Sequence, residues 1–224
     1  TPDAQESRGL GDVYKRQVGE LGDGWQVATT TLMHERRAAD SLRSWGQASK
    51  GDGPIYDQER VETETTMQPY KWYPQRAGRV DLIMDRAKET GAIKDPAIRQ
   101  EIAKLMTLHK SAEWTARRAR AAQEQGKPQG PEGSLGKLAA SNVARAAAKV
   151  HTLISGADAM LTGDDSPMDG TIAEILVSFP ASSIAGGTDE IQKNIISERV
   201  LNMPKETRFD AGKPFKDIPR NTVS

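Results

Sequence analysis

Apolar residues recur at helical spacing over most of this chain, and nowhere do they sustain the alternation that a strand requires. Trp25, Ala28, Leu32, Ala39 and Leu42 fall on one helical face. Before them, the glycine-punctuated run from Val18 to Gly24 reads as a turn. Residues 46–77 mix glycines, prolines and acids around Tyr70, Trp72 and Tyr73 and predict no clear element. Helical spacing returns near Val80 and runs, past a break at Lys94-Asp95-Pro96, to about Gln125. A loop follows to Gly133, and the alanine-rich run from Ser134 to Leu153 is strongly helical. After a polar connection at 162–170, a helix is predicted from about Ile172 to Val177. The last helix opens behind Gly186 and Gly187, with Thr188 as its cap and Asp189 and Glu190 suiting its positive start. Ile191, Ile195 and Ile196 give it an apolar stripe, Arg199 sits in its last turn, and Pro204 stops the run. The pattern predicts an all-α fold, an antiparallel bundle of four to five helices. Its apolar stripes need cover from neighbours in the chain or from a second copy.

Composition narrows the function. The 224 residues carry 31 basic and 31 acidic side chains, so no bulk field favours nucleic acid or an anionic membrane. Packing or a partner surface is therefore the expected role of Tyr70, Trp72 and Tyr73, rather than base stacking. Apolar residues make up 36%, which is lean but enough for a helical core. The absence of cysteine removes disulfides, thiolate catalysis and cysteine metal sites, and fits a reducing cytoplasm. With neither a secretory segment nor a run of eighteen apolar residues, a soluble protein without a membrane span is expected. His34, His109 and His151 are too scattered for a ligand set, so no metal site is expected.

Glu35 interrupts the apolar stripe of the first helix, where a buried carboxylate is expensive. It is either a helix-edge side chain reaching water or a basic partner, or a general base whose pKa is raised by apolar walls. At the other end of the chain, a glycine-led helix start presents bare backbone N–H groups, which suit an anion or a polar cofactor edge. The bland reading there is ordinary capping.

The run Ser183-Ile184-Ala185-Gly186-Gly187-Thr188-Asp189-Glu190, continuing to Glu198-Arg199-Val200-Leu201, resembles the last-helix signature of the acyl-CoA dehydrogenase family. Leu32-Met33-His34-Glu35-Arg36 resembles that family's Leu-x-x-Glu-Arg helix, and Gly130-Pro131-Glu132-Gly133-Ser134 resembles a loop of a bacterial subset. The resemblance implies the C-terminal part of an FAD-dependent enzyme that desaturates acyl-CoA thioesters between Cα and Cβ. Most members carry their base at the position of Gly186, and a minority carry it at the position of Glu35. Glu35 is therefore the expected base, taking the pro-R α-proton while the β-hydrogen leaves as hydride to the flavin. The backbone N–H of Gly186 is expected to polarise the thioester oxygen, and Gly187 to line the substrate. Thr188, Asp189 and Glu190 match FAD-contacting positions, Gly156 is the one agreement with the relatives' Gln-x-x-Gly-Gly loop that reaches the FAD of a neighbouring subunit, and Arg36 is a candidate for the CoA side of the pocket. The pyrophosphate-gripping Arg-x-x-Phe-Gly segment of relatives has no counterpart, since unrelated sequence fills 46–77.

Family habit also implies an electron-transfer flavoprotein as acceptor and a homo- or hetero-oligomer. The alternative is a non-catalytic subunit that completes a partner's FAD site. The expected organisation is a disordered or foreign segment at 1–17, a junction from a missing β-domain at 18–24, the helical domain at 25–204 and a polar tail at 205–224. Alone, such a fragment is expected neither to hold FAD nor to turn over.

Overall fold

The computed structural model describes residues 17–20, 22–45, 51–127, 130–205, 207, 210 and 212–218. The expected foreign segment therefore lies, but for Gln17, outside the described residues, as does much of the polar tail. Among the described residues every regular element is helical and no strand is present, as the periodicity predicts. Two compact units result, Thr1–Lys71 and Trp72–Ser224.

In the first unit the Val18–Gly24 turn forms on Gly19 and Gly22, both with positive φ (82° and 102°). Helix α1 (Gly24–Trp45) follows. The described part of its stripe is uncovered, with Trp25 82% and Leu32 45% exposed. Helix α2 (Pro54–Met67) lies in the stretch where the sequence pattern predicts no clear element, and it buries no residue. Local chemistry forms it instead. Pro54 pre-sets the first turn, Arg60 pairs with Asp57 and reaches the Gly51 carbonyl, and Gln58 donates to Glu62 at 2.8 Å.

The second unit is built on α6 (Glu132–Ser155). The other helices are α3 (Trp72–Arg76), α4 (Ile83–Glu89), α5 (Pro96–Glu124), α7 (Thr171–Ser178) and α8 (Asp189–Arg199). The break at residues 94–96 is a cap: Asp95 Oδ1 accepts from Ala97 N–H at 2.7 Å, and Pro96 occupies the first helical position. On α6, Val143, Ala147, Val150 and Ile154 recur at helical spacing and pack with Ile83, Ala87, Ile102 and Leu105 in the main core. An adjacent stripe supplies Ala148 to a second cluster with Ala159, Ile172 and Ile175. At the edge of the α5–α6 pair, Lys104 and Lys149 both donate to Glu101, and those bonds pull its carboxyl down to about 2.

A turn lies directly against α6 through Gly78. Its φ is +85°, and a Cβ there would sit 2.7 Å from Ala147 Cβ and 3.1 Å from the Ala144 carbonyl oxygen. One turn further along the helix, the fully buried His151 brings Nε2 to 3.1 Å from the Gly78 carbonyl and 3.2 Å from that of Arg79. Both partners are acceptors, so Nε2 carries the proton, and Nδ1 has no partner among the described residues. Burial lowers the pKa of His151, with Arg86 adding to the effect and the Arg79 and Gly78 carbonyls and Asp81 opposing it. The ring is held neutral.

Replacing Gly78 by Ala is expected to cost roughly 2–4 kcal/mol, from strain and overlap together, read as a lowered melting temperature. Because the folded His151 has a depressed pKa, its contribution is intact above the ordinary histidine value of about 6.5. Stability is lost as pH falls below that value toward the folded one, because the unfolded chain then binds the extra proton. His151→Gln keeps an Nε2 donor and cannot titrate. Its melting temperature is expected to fall less than wild type's between pH 7 and 5 (about neutral to mildly acidic), and an identical slope rejects the assignment.

Candidate functional site

Lys137, Ser141 and Arg145 are spaced four apart and so share one face of α6. They meet the segment that leads into α8. Lys137 Nζ donates to the Ser182 carbonyl. Ser141 Oγ donates to Asp189 Oδ2 at 2.9 Å and lies 2.8 Å from Ser183 Oγ. Arg145 Nη2 donates to Ser183 Oγ at 3.1 Å and to Asp189 Oδ2 at 3.0 Å. The single hydroxyl proton of Ser141 is directed to Asp189, so Ser183 must donate to Ser141, and the ring closes with both hydroxyl protons used.

Asp189 is 5% exposed, and its other oxygen, Oδ1, has no partner among the described residues. Burial pushes its carboxyl up, but the hydrogen bonds from Ser141 and Arg145 and the charges of Arg145 and Lys137 outweigh that. The net effect is a lowered pKa, so the carboxylate stays ionised.

Suspended in this segment are Gly186 and Gly187, with φ +70° and +98°. A Cβ on Gly186 would meet only Lys137 Cε, at 3.7 Å, whereas one on Gly187 would lie 2.6 Å from Gln192 Nε2. Gln192 is buried, and its amide approaches the carbonyls of both glycines at 3.4 Å. A trans peptide points its N–H opposite to its C=O, so this contact turns the Gly187 and Thr188 N–H groups away from Gln192. No described residue accepts a hydrogen bond from Gly186 N–H.

Thr188 caps α8 as the sequence predicts, its hydroxyl accepting from Ile191 N–H at 3.3 Å. Glu190 is exposed beside it. The expected apolar stripe of α8 is not its buried face: Ile191 is 51% exposed, and the buried residues are Asp189 and Gln192. Gly156 stands apart from this cluster. It ends α6 with φ +59°, about 20 Å along the helix from Ser141. Glu35 lies on α1 of the first unit with its side chain exposed, and the side chain of Arg36 lies outside the described residues. Among the described residues no group of His, Asp or Glu side chains could hold a metal ion. No helix among them is long and apolar enough to cross a membrane.

Sequence reasoning placed Gly186 to Glu190 together but missed Lys137, Ser141, Arg145, Ser183 and Gln192. A signal for the first three was present: polar side chains at every fourth position of an otherwise alanine-rich helix.

Residues 77–201 match the family model for the acyl-CoA dehydrogenase C-terminal domain, and the chain belongs to that family. Acyl-CoA dehydrogenases are oxidoreductases that generally use FAD. The chain is 30% identical to the acyl-CoA dehydrogenase IpdE1 of Mycolicibacterium smegmatis over 85% of its own length and 40% of that protein's. Against the protein of the same name from Mycobacterium tuberculosis the identity is 27%, covering 85% of this chain and 41% of the relative. It therefore spans about two fifths of the length of these relatives. Among solved structures, the Tcur3481-Tcur3483 steroid acyl-CoA dehydrogenase is similar in fold, with a TM-score of 0.52 at 18% identity over 69% of this chain and 42% of that one. A variant of it gives a TM-score of 0.54 at 19% identity over 84% and 42%.

Gly187→Ala is expected to destabilise the unit by roughly 1–3 kcal/mol, because it strains the backbone and displaces the Gln192 amide. Gly186→Ala, with room for its Cβ, is expected to cost less. Equal losses in thermal melts of the two variants would contradict this difference in space.

Proposed function

We propose that this chain is the C-terminal part of an FAD-dependent acyl-CoA dehydrogenase, desaturating an acyl-CoA thioester between Cα and Cβ. The observation that carries the reading is the bare turn at Gly186 and Gly187, inside the family-matched segment, with no described residue accepting a hydrogen bond from Gly186 N–H. Two features fit FAD at this place. A turn without side chains admits close approach of a flat, polar group, and the orphaned buried Oδ1 of Asp189 is an acceptor in want of a donor. Thr188, Asp189 and Glu190 would hold the cofactor, and Gly156, at the far end of α6, would reach the FAD of a neighbouring subunit. Bound FAD supplies the acceptor for the β-hydride.

The chain's own residues do the rest. Glu35 takes the α-proton, and Arg36 meets the CoA side of the substrate. An unassisted α-proton is far too weakly acidic for a carboxylate, so the thioester oxygen must be polarised. Gly186 N–H donates to that oxygen, and one such preorganised donor in a dry pocket contributes on the order of 3 kcal/mol to lowering the barrier. Gly187 lines the acyl group. The missing side chain at Gly186 leaves space bounded by Lys137, which suits a bulky or branched acyl group. The similarity to a steroid acyl-CoA dehydrogenase accords with that choice. In this reading residues 18–24 join a preceding β-domain to the helical domain, and the remainder of the enzyme supplies the walls that dry Glu35. An electron-transfer flavoprotein is the proposed acceptor, and a homo- or hetero-oligomer the working form.

A second reading is a non-catalytic subunit completing a partner's FAD site. It is favoured by the unrelated sequence at 46–77 and by Gly156 being the one agreement with the relatives' FAD loop. The substitution Glu35→Gln in the intact, FAD-loaded complex separates the two. A loss of about 10²- to 10⁴-fold in kcat is expected for the removal of a general base, and retained turnover means a scaffold subunit. The same assay with CoA esters is expected to favour polycyclic over straight acyl chains, and a clear straight-chain preference rejects the space argument.

A further inference from the structure

The Gly186–Gly187 turn has few contacts of its own, yet both of its ends are tied to a single helix. On the upstream side, the Ser182 carbonyl is held by Lys137 and the Ser183 hydroxyl by Ser141 and Arg145. On the downstream side, Asp189 is held by Ser141 and Arg145. Only residues 184–188 lie between these anchors, so fixing both ends narrows the positions open to the span. Arg145 and Ser141 each serve both ends at once, so the two anchors are fixed relative to each other and not merely to the core. Neither side chain belongs to the apolar clusters, and the bridge fixes the ends of the span at a polar cost.

The geometry points to Lys137, Ser141 and Arg145 as positioning residues that set the Gly186–Gly187 turn from α6. The inference rests on the proposed donation from this turn to the substrate, and it deepens that proposal by naming what aims the donor. The three side chains hold the anchors of the turn rather than its peptide groups. They act through Ser182, Ser183 and Asp189, whose places determine where the Gly186 N–H points. Lys137 serves twice, since its methylene chain also bounds the space beside Gly186.

The test uses Arg145→Met in the full-length, FAD-loaded protein. This residue is half exposed, so the substitution removes the donors while keeping the aliphatic packing. Two quantities are read: hydrogen exchange of the Ile191 and Gln192 amides, which bond to Thr188, and the split between kcat and KM. Exchange is expected to quicken at these amides, and kcat to fall about 10- to 100-fold with little change in KM, as for a misplaced reacting group. Arg145→Lys should restore part of both. Lys149→Met removes another cation of α6, one that pairs with Glu101, and should change neither. If Arg145→Met fails to assemble, Ser183→Ala, at a half-buried hydroxyl, makes the same comparison. Unchanged exchange overturns the inference, whether or not kcat falls. Quickened exchange with wild-type kcat and KM upholds the positioning and instead rejects the donor role of Gly186.

Discussion

The second unit depends on how closely other backbone can approach α6. Gly78 lies so near to Ala144 and Ala147 that a single methyl group would overlap, and His151 then clasps the Gly78 and Arg79 carbonyls, which flank the Arg79 Cα. The alanines matter here because they are small, since larger side chains would hold the turn away and leave His151 without acceptors. The clasp costs an orphaned Nδ1 and a ring that must stay neutral. In return, a turn far away in sequence is pinned to the middle of the helix around which the core is built.

The same helix divides its surface by chemistry. One stripe, Val143 to Ile154, is apolar and belongs to the main core, and a second carries Ala148 and His151. A third, Lys137, Ser141 and Arg145, is polar and belongs to the candidate site. A rigid element that joins core to site in this way lets core stability become positional accuracy. The buried face of α8 follows from it. Where α8 meets the polar stripe it presents Asp189 and Gln192, while Ile191 remains exposed. An exposed isoleucine there, like the open stripe of α1, is apolar surface that the described residues do not cover.

The two ends of the proposed chemistry differ in how they are held. The glycine turn is anchored within one unit by short, directed hydrogen bonds. Glu35 is exposed on α1 of the other unit, and its proposed role rests on the family pattern and on the glycine found at position 186. The chain spans about two fifths of its relatives' length.

Periodicity, caps and breakers were enough to read the helical class, the break at Asp95–Pro96, the alanine-rich helix and the capped start of α8. These are local properties, written in the spacing of side chains and in the groups that satisfy the first free N–H groups of a helix. Helix α2 escaped notice because it has no apolar stripe, only i,i+3 and i,i+4 polar pairs and a leading proline. The Gly186–Glu190 segment was legible as a contiguous string, but Asp189's partners were not, being more than forty positions away in the chain. Which serine donates to which, why Gly78 admits no other residue, and why the buried face of α8 is polar are decided by contacts between distant segments. Such contacts exist only once the helices have packed, and side-chain spacing along a single chain carries no record of them.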